Sequence, residues 1–251
     1  MNFNLSPKAV LKFLLFSVAI LFVMQIVVLI APMVPGHGRF MGIVREFDFN
    51  HESNIPTLYS SINLMLSALL LFCIAMKHKS AGKPWISWMG LACVMGFLSI
   101  DETASIHEKL IDPTQSVLGV SDATYYVWIF PYILAVAVLG LLYFKFFMRL
   151  PARTRALFIL SGVIFISGAA GLEIHGNIEQ ARQANTFAYS LSSTFEELLE
   201  MLGVICFIYA LMDYAVSQFQ FFTVTLAPQT SRYRRQTPEK LRGASTRERY
   251  L

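Results

Sequence analysis

The chain has 251 residues, 55% of them hydrophobic and only 14% charged, and its mean hydropathy is +0.55. A soluble globular domain carries about 25% charged residues, so this composition excludes that class and indicates an integral membrane protein. The formal charge of +4 does not indicate a nucleic-acid partner, because the basic residues divide between the loops as they do in membrane proteins.

Six apolar runs, taken in chain order, are long enough to cross a bilayer as helices. A hydrocarbon core about 30 Å thick needs about 20 helical residues. The runs lie at about Ala9–Met33, Thr57–Met76, Trp85–Ala104, Tyr125–Phe147, Ala156–His175 and Phe195–Val216. We therefore predict an all-α integral membrane protein with a six-span domain over residues 1–218 and a basic cytoplasmic tail over residues 219–251.

Neither the first apolar run nor the cysteines indicate processing or redox chemistry. The first run is longer than the apolar part of a signal peptide and lacks an Ala-x-Ala cleavage site, so we expect an uncleaved span. Cys73, Cys93 and Cys206 lie in apolar runs and match no disulfide or metal-ligand spacing. We expect them to be buried small hydrophobic side chains.

The basic residues predict which side of the membrane each loop faces. With the N-terminus in the cytoplasm, 16 of the 20 Lys and Arg residues lie on the cytoplasmic side. This asymmetry follows the positive-inside rule and predicts that both termini are cytoplasmic. The exceptions are Arg39, Arg45, Lys109 and Arg182.

The acidic residues lie on the opposite side, and the positive-inside rule does not explain their position. Of the 16 Asp and Glu residues, 13 fall in outer segments or in the outer ends of spans. An ionised side chain at the bilayer centre costs about 2.5–3.5 kcal/mol, so acids within spans three, five and six should face inward. There we expect them to be protonated, paired or bound to a cation.

This acidic end of the spans is the candidate functional site, and we predict that it binds a divalent metal. Carboxylates and imidazoles from several helices form iron, manganese or zinc sites in helical bundles. The candidate ligands are Glu102, Glu173, His175, Glu197 and Glu200, and the further ligands or supporting residues are Asp101, His107, Glu108 and Glu196. The sequence assigns no catalytic residue.

Helical spacing favours a common focus for part of this set. On a continuous helix Asp101, Ser105 and Glu108 would form one stripe, and His107 would lie nearly opposite Asp101. The same geometry disfavours a hydrolase triad of Ser105, His107 and Asp101, because one helix cannot aim all three side chains at each other.

Two alternatives stand beside the metal site. Thr194 and Glu197 match a capping box, and the helix dipole favours acids in a first turn by about 0.3–1 kcal/mol each. Helix capping does not explain Glu200, which lies deeper in the span. A haem held by His107 and His175 ranks below the carboxylate site, because acids beside a porphyrin would need separate compensation.

Three motifs resemble a known group of sequences. They run from Phe47 to Ser61 (FDFNxExNIPTxYSS), from Leu98 to Glu108 (LSxDExxxxHE) and from Glu196 to Gly203 (EELLEMLG). The chain resembles uncharacterised bacterial multi-span membrane proteins without an assigned activity, which implies a bacterial inner (cytoplasmic) membrane. The first motif is also similar to the seven-span ceramidase-type hydrolases, but the paired His-x-x-x-His of that group is missing here, and its activity is not carried over.

Together these patterns predict a multi-pass inner-membrane protein with a metal-binding pocket that opens to the periplasm. If the pocket is catalytic, we expect a lipid or other apolar substrate, with oxidation or metal-assisted hydrolysis as the reaction. The alternative is a non-catalytic subunit or assembly factor whose outer acids bind other membrane protein subunits. A proton-coupled carrier is disfavoured, because its acids would lie near the midplane.

Overall fold

The structure of the protein, a computed structural model, describes residues 2–4, 6–31, 41–119, 129–172, 186–219 and 223–225. Apart from turns and loops, these residues form helices and two strands of three residues each. In chain order the elements are β1 (Asn2–Asn4), α1 (Pro7–Ile30), α2 (Met41–Arg45), α3 (Ile55–Ser80), α4 (Ile86–Ala104), a 3-10 turn (Glu108–Leu110), α5 (Ile111–Leu118), α6 (Ile129–Met148), α7 (Ala152–Ile166), a π-helical turn (Ser167–Leu172), α8 (Thr186–Phe219) and β2 (Thr223–Thr225).

Five helical segments are long and apolar enough to cross a membrane, which confirms a membrane protein. They are Pro7–Ile30, Ile55–Ser80, Pro131–Met148, Ala152–Leu172 and Tyr189–Phe219. The expected third span forms helix α4, but α4 is not among these five. Its last turn carries Asp101 and Glu102, which lower its hydropathy.

The core of the bundle follows α8. This helix packs against α1, α3 and α7, and α3 packs along α4 as a helical hairpin. Buried residues of α8, from Met201 to Ala215, meet Leu64 of α3 in one part of the core and Trp88 of α4 in the other. In a bilayer the alternative to these contacts is contact with lipid, so close van der Waals packing of the apolar side chains holds the helices together.

Apolar side chains also cover the outside of the bundle, as expected of a surface that contacts lipid. Phe16, Leu69 and Leu141 are examples of large hydrophobic residues that are mostly exposed. Cys73 and Cys93 are exposed on this surface as well, so the expectation that they are buried is wrong. A thiol is apolar enough to lie against lipid and does not need the core.

Two predicted helix boundaries are wrong, and both corrections affect the candidate site. Helix α8 begins at Thr186, so Thr194 lies inside the helix, where its hydroxyl donates to the carbonyl of Ser190 at 2.7 Å. The capping box at Thr194 therefore does not exist. Helix α4 ends at Ala104 because Ser105 has a left-handed backbone, with φ 49° and ψ 49°, and this ends the stripe predicted beyond Asp101.

The two ends of the described chain meet. Strand β1 pairs antiparallel with β2, so that Phe3 lies opposite Val224. The beginning of α1 and the end of α8 therefore lie at the same end of the bundle. Residues 226–251, the greater part of the predicted basic tail, lie outside the described residues, and the boundary at residue 218 stays a prediction.

Candidate functional site

A reversal of the chain after α4 brings His107 back to Asp101. The backbone N–H of Ser105 donates to the carbonyl of Asp101 at 2.7 Å, which is a common way of ending a helix with a left-handed residue. The backbone N–H of His107 donates to Asp101 Oδ1 at 2.9 Å, and His107 Nδ1 lies 3.5 Å from the same oxygen. Asp101 is thus paired with the imidazole that a continuous helix would have placed nearly opposite.

The loop before α3 supplies a second carboxylate. Glu52 Oε1 lies 3.4 Å from His107 Nε2. Asn54 fixes the loop, because its side chain accepts from the N–H of Thr57 at 3.1 Å and donates to the carbonyl of Asp48 at 2.6 Å. An asparagine at the N-cap satisfies helix N–H groups that have no partner within the helix, and here it also sets the position of Glu52.

Helix α6 supplies a phenol. The hydroxyl of Tyr132 donates to Asp101 Oδ2 at 2.7 Å, so both oxygens of this buried carboxylate accept hydrogen bonds. Glu102 is close enough to interact electrostatically with Glu52, Asp101 and His107. We call these five residues, Glu52, Asp101, Glu102, His107 and Tyr132, the outer cluster. Three carboxyl groups around one imidazole are coupled, so the proton occupancy of each depends on the others.

A buried glutamine of α1 connects the loop of Glu52 to α8. Gln25 is fully buried; its Nε2 donates to Thr194 Oγ1 at 2.8 Å, and its Oε1 accepts from the N–H of Phe49 at 3.1 Å. A polar side chain buried in an apolar span is costly without partners, and Gln25 has a partner on each side. It therefore holds the outer loop against the outer part of α8.

The glutamates of α8 lie inside the helix and not in its first turn. Glu196, Glu197 and Glu200 are half-buried, and Glu196 follows the start of α8 by about three turns. The dipole and capping explanation therefore no longer accounts for them. Gly168 of the π-helical turn faces this stretch, and a Cβ atom there would lie 2.7 Å from the carbonyl oxygen of Glu196.

The preceding turn of α8 contacts the last described residue of the π-helical turn. Ser192 Oγ donates to the carbonyl of Leu172 at 3.2 Å. The predicted ligands Glu173 and His175 follow Leu172 in the sequence but lie outside the described residues, and so does the side chain of Glu108. π-Helical turns of this kind are frequent at functional sites.

The structure brings together part of the predicted set. Asp101, Glu102 and His107 form one cluster, and Glu196, Glu197 and Glu200 lie along one stretch of α8. Among the residues that the structure describes, no group of three or more His, Cys, Asp or Glu side chains is arranged to hold a metal ion. The premise that Asp101 and His107 lie on one continuous helix is wrong, because the helix ends between the two residues.

Three residues of this region, Gln25, Glu52 and Tyr132, are not among the predicted site residues. Glu52 lies in the first motif, but the sequence does not show that this loop folds onto the turn after α4. Gln25 is a lone polar residue in the first apolar run, and a polar residue within a span is a signal of a functional or structural contact. That signal was available from the sequence.

Comparisons with known proteins give a family and no activity. A family model described as a domain of unknown function (DUF8692) matches residues 13–215. No curated protein and no solved structure matches the chain. The matched residues include the outer cluster, Gln25 and the glutamates of α8.

Proposed function

The chain belongs to the DUF8692 family of unknown function, and from the outer cluster we propose that it carries a general acid–base centre at its outer face. The observation that carries this proposal is the imidazole of His107 between the carboxylates of Asp101 and Glu52. General acid–base chemistry needs a group that gives and takes protons near neutral pH, and histidine is the common choice.

Each member of the cluster has a distinct part in this proposal. Asp101 accepts hydrogen bonds from the His107 backbone and from Tyr132, so the carboxylate that orients the imidazole is itself fixed. Glu52, with a side chain 33% exposed, connects His107 to the outer solution. Protons then pass between the solution, Glu52 and His107 without a change in the position of Asp101.

The surroundings of the cluster favour a lipid or another apolar compound as the substrate. Ile100, beside Asp101 on α4, is 56% exposed, and Ile133, beside Tyr132 on α6, is 52% exposed. Both lie on the apolar surface of the bundle. A compound dissolved in the bilayer would therefore reach the cluster without first crossing water.

The test is a comparison of membrane lipids from cells that overproduce the wild-type protein, Asp101→Asn or His107→Gln. We expect the wild-type protein to change the abundance of at least one lipid class, measured by untargeted mass spectrometry, and both variants to lose that change at equal protein levels. His51→Gln is the matched control, because His51 is 48% exposed on the same loop as Glu52 and contacts only Asp48 among the ion pairs described. It should behave as the wild-type protein does.

An unchanged lipid profile in the wild-type strain would contradict the enzymatic proposal. If a second membrane protein then co-purified in equal amount and dissociated at high salt, the non-catalytic subunit would be the better explanation. If cells that overproduce His107→Gln show the same change in lipids as the wild-type strain, the imidazole of His107 is not the acid–base group.

A divalent metal site is the second candidate, and the position of the α8 glutamates favours it. Glu197 and Glu200 lie well inside α8, where neither capping nor the helix dipole explains acidic residues. The proposed ligands remain Glu102, Glu173, His175, Glu197 and Glu200, with iron, manganese or zinc as the metal. Since the described residues alone contain no metal-binding group, this proposal makes binding depend on Glu173 and His175.

The metal content of the detergent-purified protein tests this second candidate. We expect about one or two metal ions per chain in the wild-type protein and a loss of most of the metal in Glu197→Gln and His175→Gln. Glu46→Gln removes an acid from the outer loop outside the proposed ligand set and should keep the metal. A metal content near zero in the wild-type protein would refute the metal site and leave the acid–base proposal standing.

We also propose that the protein lies in the bacterial inner membrane, with six spans and both termini in the cytoplasm. The pairing of β1 with β2 supports an even number of crossings, because it brings both ends of the chain to one side. The packing of α4 along α3 supports α4 as the remaining span. The excess of basic residues at that end supports the cytoplasmic orientation.

A further inference from the structure

The loop between α3 and α4 forms a cavity at the end of the helical hairpin away from the outer cluster. It has a volume of about 430 Å³, and its polar lining comes from Lys79, Lys83, Trp85 and Ser87. No residue of the outer cluster contributes to it. Whatever this cavity binds is therefore separate from the acid–base centre and from the proposed metal site.

Backbone geometry places the two lysines on this cavity. Gly82 has φ +66°, a conformation that glycine adopts without strain, and its N–H donates to the carbonyl of Lys79 at 3.1 Å. The N–H of Lys83 donates to the carbonyl of His78 at 2.9 Å. The chain is thus folded back on the last turn of α3, so that Lys79 and Lys83 both line the cavity.

The lysines of this cavity lie in a stretch of the sequence that has no acidic residues. The sequence has no Asp or Glu between Glu52 and Asp101. Neither Lys79 nor Lys83 forms an ion pair with any residue that the structure describes. Lys79 Nζ instead lies 4.8 Å from the centre of the Trp85 ring, a cation–π contact that holds the ammonium group beside the cavity.

We propose that this cavity binds the phosphate headgroup of an anionic phospholipid. The loop joins two helices of the membrane bundle, so it lies at the level of the headgroups, where tryptophan rings also prefer to lie. Two lysines there attract an anionic lipid, and we expect a preference of about tenfold over a zwitterionic lipid. With the proposed orientation, this lipid belongs to the cytoplasmic leaflet.

Quenching of Trp85 fluorescence by lipids with brominated acyl chains tests the proposal. The full-length protein is reconstituted in phosphatidylcholine vesicles that contain either brominated phosphatidylglycerol or brominated phosphatidylcholine at the same mole fraction. The signal of Trp85 is the difference between the wild-type protein and Trp85→Phe, because the chain has two other tryptophans. We expect phosphatidylglycerol to quench this signal at about a tenfold lower mole fraction.

The controls separate this cavity from general attraction to a charged membrane. Lys79→Gln with Lys83→Gln should lose the preference, whereas Lys79→Arg with Lys83→Arg should keep most of it. Lys8→Gln with Lys12→Gln removes two exposed charges at the start of α1, on the same side of the membrane, and should leave the preference intact. The substituted lysines are exposed, and an unchanged thermal unfolding temperature would show that each variant is folded.

Three results would overturn the proposal. Equal quenching by the two lipids would show that the cavity does not select the headgroup. A preference that survives in Lys79→Gln with Lys83→Gln would place the lipid elsewhere. A preference abolished by millimolar inorganic phosphate at constant ionic strength would identify a site for free phosphate and not for a lipid.

Discussion

His107 contacts Asp101 because one residue, Ser105, has a left-handed backbone. Glycine, asparagine and aspartate are the residues that usually signal this conformation, and a serine does not. The sequence therefore identified Asp101, Glu102 and His107 as candidates from charge and depth, but predicted their mutual geometry wrongly. The contact with Glu52 depends on how a loop far away in the sequence folds, which helical periodicity does not show.

At the residue scale, we predict that the two hydrogen bonds of Gln25 stabilise the fold. We expect Gln25→Leu, which keeps much of the volume, to lower the free energy of unfolding by about 1–3 kcal/mol, because it leaves the buried N–H of Phe49 without its acceptor. Thermal or denaturant unfolding of the purified protein in detergent measures this change. Ser17→Ala, on an exposed face of the same helix, should change stability by less than about 0.5 kcal/mol. Equal stability of the two variants would contradict the role of Gln25.

At the scale of an element, the sequence predicts the helices well but not the start of helix α8. All six predicted spans correspond to helices, because length and hydropathy determine them, and their ends differ from the prediction by a few residues at most places. The exception is the start of α8, which the prediction placed at Phe195 after a capping box at Thr194, whereas the helix begins at Thr186. Tertiary contacts extend the helix instead: Gln25 binds Thr194, and Ser192 binds Leu172. Tertiary packing of this kind overrides weak helix propensity.

The crossing of α7 and α8 gives the prediction at this scale. A Cβ atom on Gly203 would lie 2.8 Å from the backbone nitrogen of Phe165, and Ser161 Oγ donates to the carbonyl of Gly203 at 2.8 Å. Gly203→Ala should therefore force the helices apart and cost about 1–3 kcal/mol of stability.

Gly162→Ala is the matched control for Gly203→Ala, because Gly162 lies in the same pair of helices and its added Cβ would meet nothing within 4 Å. Alanine favours a helix over glycine by about 0.5–1 kcal/mol, so this variant should be neutral or more stable. Unfolding of both variants in detergent gives the comparison. A stable Gly203→Ala protein would show that the crossing is loose.

At the scale of the whole molecule, two opposed asymmetries explain the modest charge of +4. The predicted spans place most basic residues on one side of the membrane and most acidic residues on the other. The structure adds that one loop, which carries Phe49 and Glu52, contacts both Gln25 and His107, and that the loop between α3 and α4 forms a cavity. The polarity of the chain was predictable from the sequence, whereas these two local arrangements depend on turns and were not.

The number of spans gives the prediction at this scale. In a variant without the natural cysteines, single cysteines at His51, Ala81 and Ser116 are labelled in intact cells with a membrane-impermeant maleimide. All three positions are exposed in loops or short helices between the long helices. If both α3 and α4 cross the membrane with the proposed orientation, cysteines at 51 and 116 react in intact cells and a cysteine at 81 reacts only after permeabilisation. If the cysteines at 81 and 116 both react only after permeabilisation, the two positions lie on the same side and α4 does not cross the membrane.

The hydrogen bond between Tyr132 and Asp101 attaches helix α6 to helix α4. In α6, no residue from Pro131 to Met148 is fully buried, so this helix gains little from packing against its neighbours. Its outer half is held to α4 through a bond whose acceptor, Asp101 Oδ2, is a titratable oxygen. A proton placed on that oxygen turns it from a negatively charged acceptor into a neutral donor, so the bond to Tyr132 loses its charge assistance and weakens. A change of protonation in the outer cluster therefore changes how strongly α6 is bound to α4.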